Sequence, residues 1–317
     1  MSVAEETAQF RAESSKDGSF VRQKNRFSNR ITADGSSGFK AEAGRYHLYV
    51  SLACPWAHRS VIVRKLKKLE NVISLSVVDP IRDERGWAFR DGPGYTVDPV
   101  NGFRFLGEAY LKTDPTYEGR YTVPVLWDRK TETIATNDYP SITLDLDTQF
   151  EEFADTSVDL YPVHLRAAID AMNADVYRDV NNGVYMAGFA TTQEAYEEAF
   201  DALFARLDAL DAHLATQRYL VGDRLTEADV RLFTTLARFD SVYYSHFKCN
   251  LRRIVDYPNL WAYTRDLYQR PGFGDTVNMD HIKRHYYMTH DKINPTRIVP
   301  QGPAIDWLEP HDRARLG

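Results

Sequence analysis

A cysteine at the start of a predicted helix is the residue of this 317-residue sequence best suited to covalent chemistry. Cys54 follows a strand-like run, Arg45 to Ser51, and precedes Pro55, a residue favoured at the first position of a helix. Unpaired backbone N–H groups and the helix dipole favour a thiolate there and can lower a cysteine pKa from ~8.5 to roughly 3.5–7.5. We therefore predict that Cys54 is a nucleophile; the alternative is a small buried residue that closes a turn.

The residues around Cys54 limit its redox chemistry. A strand, a Cys-Pro turn and a helix from Pro55 to Leu69 form the front end of a thioredoxin-like βαβ unit, which a buried strand from Ile73 to Val78 completes. Because position 57 is Ala57, no Cys-x-x-Cys disulfide can form. Any redox cycle must therefore take its second thiol from outside the chain.

Two later turns carry groups that a thiol ligand can contact. Pro124 opens the predicted strand from Thr122 to Asp128, and a proline beside a thiol site in this type of fold is usually cis, which offers the backbone of Val123 to a peptide-like ligand. Asp138 precedes a predicted helix that starts near Pro140. Its carboxylate either caps that helix, the commoner role, or binds a cation such as an α-amino group.

Residues 80–120 are rich in Gly and Pro and predict a long loop with a short helix at Phe105 to Lys112. Loops of this length in compact domains are usually functional or partly disordered. Trp87 lies in this loop. It either contacts a ligand or simply pins the loop to its domain.

The composition excludes several functional classes. A net charge of −6, with 43% hydrophobic and 26% charged residues, is typical of a globular protein and lacks the basic excess of a nucleic-acid-binding surface. No run of about 18 apolar residues is present to span a bilayer, and the first residues do not resemble a signal peptide. The two cysteines, Cys54 and Cys249, lie far apart, which suits a reducing compartment. We therefore expect a cytoplasmic protein that does not act on nucleic acid or membranes.

The apolar patterns predict three regions. Residues 1–40 are polar and predict an extended arm, residues 41–150 predict a thioredoxin-like thiol-binding domain, and residues 155–317 predict an all-helical substrate and dimer domain with a C-terminal tail. In the helical region, Thr226 and Asp229 have the spacing of a capping box. The tail histidines lack a plausible set of partner ligands, so we predict no metal site.

Five passages together resemble the glutathione transferase superfamily, and more closely its glutathionyl-hydroquinone reductase branch, also called the Xi class. They are Cys54-Pro55-Trp56-Ala57-His58-Arg59, Gly86 to Phe89, Thr122 to Asp128, Gly183 to Ala190, and His285 to His290 with Ile293-Asn294-Pro295. The resemblance covers residues 40 to 303. It implies a thioredoxin-like domain followed by an all-α domain, a homodimer, and a cysteine nucleophile that removes a thiol from small aromatic conjugates.

The resemblance also implies a role for individual residues. Cys54 matches the nucleophile. Trp87, the Val123 backbone, Asp138 and Tyr139 match positions that hold glutathione, and Tyr185 and Tyr286 match tyrosines whose hydroxyls bond the quinol oxygens. The family usually has Glu-Ser where this chain has Asp138-Tyr139, so the co-substrate is glutathione or another low-molecular-weight thiol such as mycothiol.

Two other classes of function stay open on the sequence alone. One is a glutaredoxin-like thiol transferase or a conjugating transferase, which would need no aromatic acceptor pocket. The other is a non-catalytic binding or scaffold protein, which would need no activated Cys54. Tyr185 and Tyr286 favour an aromatic substrate and therefore the reductase.

Overall fold

A computed structural model describes residues 13–317, which divide into two compact units. The first unit comprises residues 23–158 and 278–298. The second comprises residues 13–22, 159–277 and 299–317. Residues 1–12 of the predicted N-terminal arm lie outside the described residues.

A four-stranded sheet organises the first unit. Its elements in chain order are β1 Tyr46–Val50, α1 Pro55–Leu66, β2 Ser74–Val77, α2 Leu106–Thr113, β3 Val125–Asp128, β4 Thr133–Thr136 and α3 Tyr139–Thr148, with α9 Met279–Thr289 from later in the chain. The strand order is β2-β1-β3-β4; β1 and β2 are parallel, and β3 pairs antiparallel with both β1 and β4. This arrangement confirms the thioredoxin-like prediction.

The two central strands carry the core of the sheet. All residues of β1 and β3 are buried, as expected for strands covered on both faces. In the register of β1 against β3, Tyr49 pairs with Val125 and Tyr46 pairs with Asp128. The C-terminal end of β1, which leads to Cys54, therefore lies beside the start of β3, which follows Pro124.

Helix α1 is shorter than the sequence predicted. It ends at Leu66 rather than Leu69, because Lys68 adopts a left-handed backbone conformation (φ 53°) that a right-handed helix cannot include. The Leu69 N–H then donates to the Arg64 carbonyl at 2.8 Å. This bond satisfies one of the carbonyls left unpaired where the helix ends.

The second unit is helical. Its helices are α4 Arg166–Val176, α5 Gly183–Gly188, α6 Gln193–Leu214, α7 Glu227–Arg238 and α8 Pro258–Tyr268, with single π-helical turns at Tyr177–Asn181 and Phe239–Tyr243. The predicted capping box is present at the head of α7, where Thr226 and Asp229 bond each other's backbone. Among residues 13–317, no helix is both long and apolar enough to cross a membrane.

The structure groups one segment differently from the sequence prediction. The prediction assigned all residues from 155 onward to the helical domain, whereas residues 278–298, which contain α9, belong to the first unit. The physical reason is side-chain contact: His285 of α9 stacks on Trp87, with ring centroids 4.9 Å apart. Such a contact between distant parts of the chain leaves no periodic signal in the sequence.

The described part of the arm is irregular and is held by polar contacts. Within the first unit, the Ile31 N–H donates to Asp145 (2.8 Å), and Asn137 and Phe27 exchange hydrogen bonds of 2.9 and 3.0 Å. The Arg30 guanidinium also pairs with Asp145, whose carboxyl pKa is raised by burial. Residues 23–31 are thus fixed at several points.

The predicted arm is not extended over its whole described length. Residues 32–41 fold back on themselves through turns, and the Thr32 N–H donates to the Phe39 carbonyl at 3.0 Å.

Candidate active site

Cys54 stands at the N-terminus of α1, and its thiol is half-buried. Its backbone is extended (φ −77°, ψ 120°) and Pro55 begins the helix, so the chain turns from β1 into α1 at the residue that bears the sulfur. The first turn of α1 contains no acidic side chain. The positive end of the helix dipole is therefore not offset by a carboxylate from this turn, a setting that favours a thiolate.

The backbone of Val123 lies beside this thiol. The Cys54 Sγ donates to the Val123 carbonyl oxygen at 3.6 Å, and the Val123–Pro124 peptide bond is cis, as predicted. Val123 is buried and comes two residues before β3 begins. The cysteine turn and the proline turn, 69 residues apart in the sequence, thus meet at one point.

A stack of three side chains joins the start of α1 to the start of α3. The rings of Trp56 and Tyr139 have centroids 4.7 Å apart at an angle of 41°. The guanidinium carbon of Arg59, a fully buried residue, lies 4.6 Å from the centroid of Trp56 and 5.7 Å from that of Tyr139. Tyr139 therefore directs its ring into the packing around α1.

Asp138 caps helix α3. Its carboxylate accepts hydrogen bonds from the Ser141 backbone N–H at 3.3 Å and from the Ser141 hydroxyl, and a further one from Asn25 Nδ2 at 2.8 Å. Of the two roles that the sequence allowed, the structure shows the capping role. A contact between Asp138 and the γ-glutamyl group of a thiol stays a prediction.

Trp87 lies inside the first unit and is only 3% exposed. Its ring stacks on that of His285, with centroids 4.9 Å apart and an interplanar angle of 24°. The Arg82 guanidinium carbon lies 5.2 Å from the same indole. The Trp87 carbonyl accepts a 2.9 Å hydrogen bond from the first residue of α2, Leu106. Trp87 therefore does pin its loop, and its contact with a thiol stays a prediction.

The two predicted substrate tyrosines belong to different units. Tyr286 lies on α9 in the first unit, where it is 1% exposed and its ring meets those of His285 and His290 edge to face, at 5.3 and 5.4 Å. Tyr185 lies on α5 in the second unit, together with no other predicted site residue. The first unit contains the other predicted site residues, and it joins Cys54 to Val123 and links Trp87 to Tyr286 through His285.

Tyr185 is surrounded by aromatic rings of its own unit. Four rings that lie within 6.4 Å of it are those of Phe20, Phe189, Tyr243 and Phe247. The Arg22 guanidinium carbon lies 4.7 Å from the Tyr185 centroid, and Arg22 Nε donates to Asn182 Oδ1 at 2.8 Å. The face of an aromatic ring attracts a cation, so Arg22 helps to hold the Tyr185 ring in place.

Three residues that contact the predicted site residues have no predicted role: Arg22, Asn25 and His285. Arg22 and Asn25 fall in the non-periodic arm, where nothing in the sequence marks them. His285 falls in a passage that carried the family resemblance but was given no role. Their side chains contact Tyr185, Asp138 and Trp87, which lie far away in the sequence. Contacts of this kind leave no local signal in the sequence.

The second cysteine has no place in this site. Cys249 is fully buried, and burial raises the pKa of its thiol well above the usual range. Among residues 13–317, no group of three or more His, Cys, Asp and Glu side chains is placed to hold a metal ion. Cys54 is therefore the candidate nucleophile on both exposure and position.

Comparison with known proteins gives the family. Residues 53–149 match the family model of the glutathione S-transferase N-terminal domain, and residues 193–266 match that of its C-terminal domain. The glutathionyl-hydroquinone reductase YqjG of Escherichia coli is 52% identical over 306 residues, which cover 94% of this chain and 93% of the relative.

Two solved structures have the same fold. The glutathione-bound structure of YqjG superposes with a TM-score of 0.88 at 53% identity, covering 91% of this chain and 96% of that one. The Xi-class transferase of Natrialba magadii gives 0.90 at 50% identity, covering 95% and 96%. The chain therefore belongs to the glutathione transferase family, and within it to the glutathionyl-hydroquinone reductase or Xi branch, as its five passages predicted.

Proposed function

We propose that this protein is a cysteine-dependent reductase that removes glutathione from glutathionyl-hydroquinone conjugates. The Cys54 thiolate attacks the thioether sulfur, the bond between that sulfur and the aromatic carbon breaks, and a disulfide forms between Cys54 and glutathione. The aromatic carbon takes up a proton and leaves as part of the hydroquinone. A second glutathione then attacks the mixed disulfide, so glutathione disulfide and the Cys54 thiolate are released. The conjugate gains the two electrons that the thiols lose.

The observation that carries this proposal is the position of Cys54. Its sulfur is half-exposed at the N-terminus of α1 and lies beside the Val123 carbonyl next to the cis proline. Because Ala57 replaces a second cysteine, the mixed disulfide has no resolving thiol in that turn and must wait for an external one. Similarity to YqjG over 94% of the chain supports the same chemistry.

The remaining site residues have proposed roles in binding. Trp87, the backbone of Val123, Asp138 and Tyr139 hold the glutathione whose sulfur meets Cys54. Tyr185 and Tyr286 bond the quinol oxygens, and a phenol hydroxyl supplies the proton that the aromatic carbon takes up. The aromatic residues around Tyr185 suit a flat substrate better than an aliphatic mixed disulfide, which favours the reductase over a glutaredoxin-like transferase.

Turnover of glutathionyl-benzohydroquinone tests the proposal. Cys54→Ser should lower the rate at least about 1,000-fold while the circular dichroism spectrum stays unchanged, because a hydroxyl cannot replace the thiolate nucleophile. Cys249→Ser is the matched control and should keep nearly full turnover, since that thiol is buried. A Cys54→Ser variant as active as the parent would rule out this mechanism.

Three finer properties stay predictions. We propose glutathione as the thiol, because the solved structure of YqjG holds it; parallel assays with glutathione and mycothiol separate the two co-substrates. We also propose a homodimer, which light scattering on the purified protein tests. A cytoplasmic location is proposed as well, and fractionation of the source cells tests it.

A further inference from the structure

Two histidines of α9 contact the loop that carries Trp87, here called the Trp87 loop and defined as residues 79–95. His281 and His285 are four residues apart, so their side chains lie on one face of the helix. His281 Nε2 lies 2.7 Å from the Pro93 carbonyl oxygen, and His285 Nδ1 lies 2.8 Å from that of Pro80. Because a carbonyl only accepts, each ring nitrogen donates. His281 therefore carries a proton on Nε2, and His285 carries one on Nδ1.

These two hydrogen bonds hold both ends of the Trp87 loop. His281 is fully buried and His285 is 7% exposed. Pro80 is buried and Pro93 is exposed, so water competes least for the Pro80 carbonyl. At the Pro93 end, Gly94 has a φ of 81°, and a Cβ atom there would lie 3.1 Å from His281 Nε2. A glycine therefore permits the close approach of the loop to His281.

The same helix also contacts the middle of the loop. The His285 ring stacks on the Trp87 indole, and the Arg82 backbone N–H donates to the Thr289 hydroxyl at 3.4 Å. The Arg82 guanidinium in turn lies over Trp87. Helix α9 thus fixes the indole directly through His285 and indirectly through Arg82.

We propose that His281 and His285 form a two-point clasp that positions Trp87 for the glutathione part of the conjugate. The clasp rests on the proposed function, in which Trp87 holds the glutathione whose sulfur meets Cys54. Both histidines are positioning residues rather than catalytic ones. A loop ordered before the conjugate arrives loses less conformational entropy on binding, so the clasp lowers the KM for the conjugate and leaves kcat at saturation nearly unchanged.

The two donor nitrogens allow a crossed test with amide side chains. Glutamine places its nitrogen near the position of histidine Nε2, whereas asparagine places it near that of Nδ1. His281→Gln should therefore keep a lower KM for the glutathionyl conjugate than His281→Asn, and His285→Asn a lower one than His285→Gln. Each mismatched variant should raise this KM about three- to tenfold, the effect of one lost hydrogen bond. The KM for the second glutathione, which attacks the mixed disulfide, and kcat should stay within about twofold.

A histidine of the second unit provides the matched control. His213 Nε2 makes the same kind of contact, 3.1 Å from the Leu220 carbonyl. His213→Asn should lower the melting temperature without changing the KM for the glutathionyl conjugate. If the variants at 281 and 285 behave in this way too, their role is only structural and the clasp is wrong.

The clasp and the proposed function fail differently. An active parent whose KM for the glutathionyl conjugate is insensitive to all four amide variants overturns the clasp alone. An inactive parent overturns the reductase, and the clasp is then judged by calorimetric binding of glutathione in a Cys54→Ser background. In that background, the clasp is supported if His281→Gln binds glutathione more tightly than His281→Asn and His285→Asn more tightly than His285→Gln. Equal dissociation constants or no binding overturns it.

Discussion

Tyr139 stands where the family resemblance implies a serine. Its ring packs on Trp56, near the Arg59 guanidinium, rather than presenting a short hydroxyl at the first residue of α3. The ring carries the phenolic oxygen several bonds away from the place where a serine hydroxyl would lie. A glutathione molecule bound at this turn, as proposed, would therefore lack one hydroxyl contact.

Replacing Tyr139 by serine should strengthen glutathione binding and weaken the fold. The added hydroxyl should lower the KM for the glutathionyl conjugate several-fold, the value of roughly 0.5–1.5 kcal/mol for one hydrogen bond. The lost contact with Trp56 should cost roughly 0.5–1.5 kcal/mol of unfolding free energy. Steady-state kinetics and urea unfolding measure the two effects. Tyr139→Phe is the control, since it keeps the ring, and a serine variant with no lower KM than this control contradicts the idea.

Substituting the two proposed substrate tyrosines should affect one class of substrate more than another, which substitution of a packing residue would not do. Tyr185→Phe and Tyr286→Phe each remove one hydroxyl and keep the ring, so the aromatic contacts of both residues persist. Each change should lower turnover of a hydroquinone conjugate roughly 10- to 100-fold, as expected for a bond to a partly charged oxygen. Reduction of a small aliphatic mixed disulfide should change far less. Equal losses on both substrates would instead favour a packing role and the glutaredoxin-like function.

At the scale of elements, the sequence located the turns of the site better than the contacts between them. Cys54, Pro124 and Asp138 each lie where a strand or helix begins, and such boundaries have local signals in proline and capping residues. The end of α1 was predicted three residues too late, because nothing in the sequence marks the left-handed Lys68. The grouping of α9 with the sheet depends on contacts such as His285 with Trp87, which only the folded chain shows.

The cap of α7 combines a local signal with long-range contacts. The sequence predicted the pairing of Thr226 with Asp229, and the structure confirms it. The Asp229 carboxylate also accepts hydrogen bonds from the Leu220 N–H at 3.0 Å and the Tyr263 hydroxyl at 2.7 Å. Asp229 is fully buried, and burial raises the pKa of its carboxyl. One side chain thus satisfies donors from three parts of the second unit.

Asp229→Ala should therefore destabilise the protein far more than an ordinary capping change. It leaves the backbone N–H groups of Leu220 and Thr226 and the Tyr263 hydroxyl without their acceptor in a buried region. The loss should be at least about 3 kcal/mol of unfolding free energy, measured by urea denaturation. Asp201→Ala, on an exposed position of α6, should change it by less than about 0.5 kcal/mol. A similar effect of both substitutions would contradict this account of the cap.

At the scale of the whole molecule, each unit contains a buried histidine that resists protonation. Burial lowers the pKa of His47 in the first unit and of His246 in the second from 6.5 to about 4. The His47 ring lies between the hydroxyls of Ser74 and Ser76, at 2.7 and 2.9 Å. The folded protein thus keeps both rings neutral in a pH range where the unfolded chain protonates them.

Stability should consequently fall as the medium becomes acidic. For each histidine the pKa in the folded protein lies below that in the unfolded chain. Its contribution to the free energy of unfolding is therefore complete above pH 6.5 and is lost as the pH falls toward 4. Each histidine can account for up to about 3 kcal/mol. Urea unfolding between pH 7 and 4.5 measures the decline. His47→Gln should reduce the slope of unfolding free energy against pH by at most about 1.4 kcal/mol per pH unit. An unchanged slope would contradict the lowered pKa of His47.

The contrast between the two cysteines allows the native protein to be labelled selectively at its candidate active site. Cys249 is sealed in the second unit with its thiol held protonated by burial, whereas Cys54 is half-exposed at a helix start that favours the thiolate. A thiol-selective reagent applied to the native protein should therefore react preferentially with one residue per chain, Cys54. The stoichiometry of its uptake counts folded, competent sites in a preparation, and a fluorophore attached there would report on the site without any engineered residue.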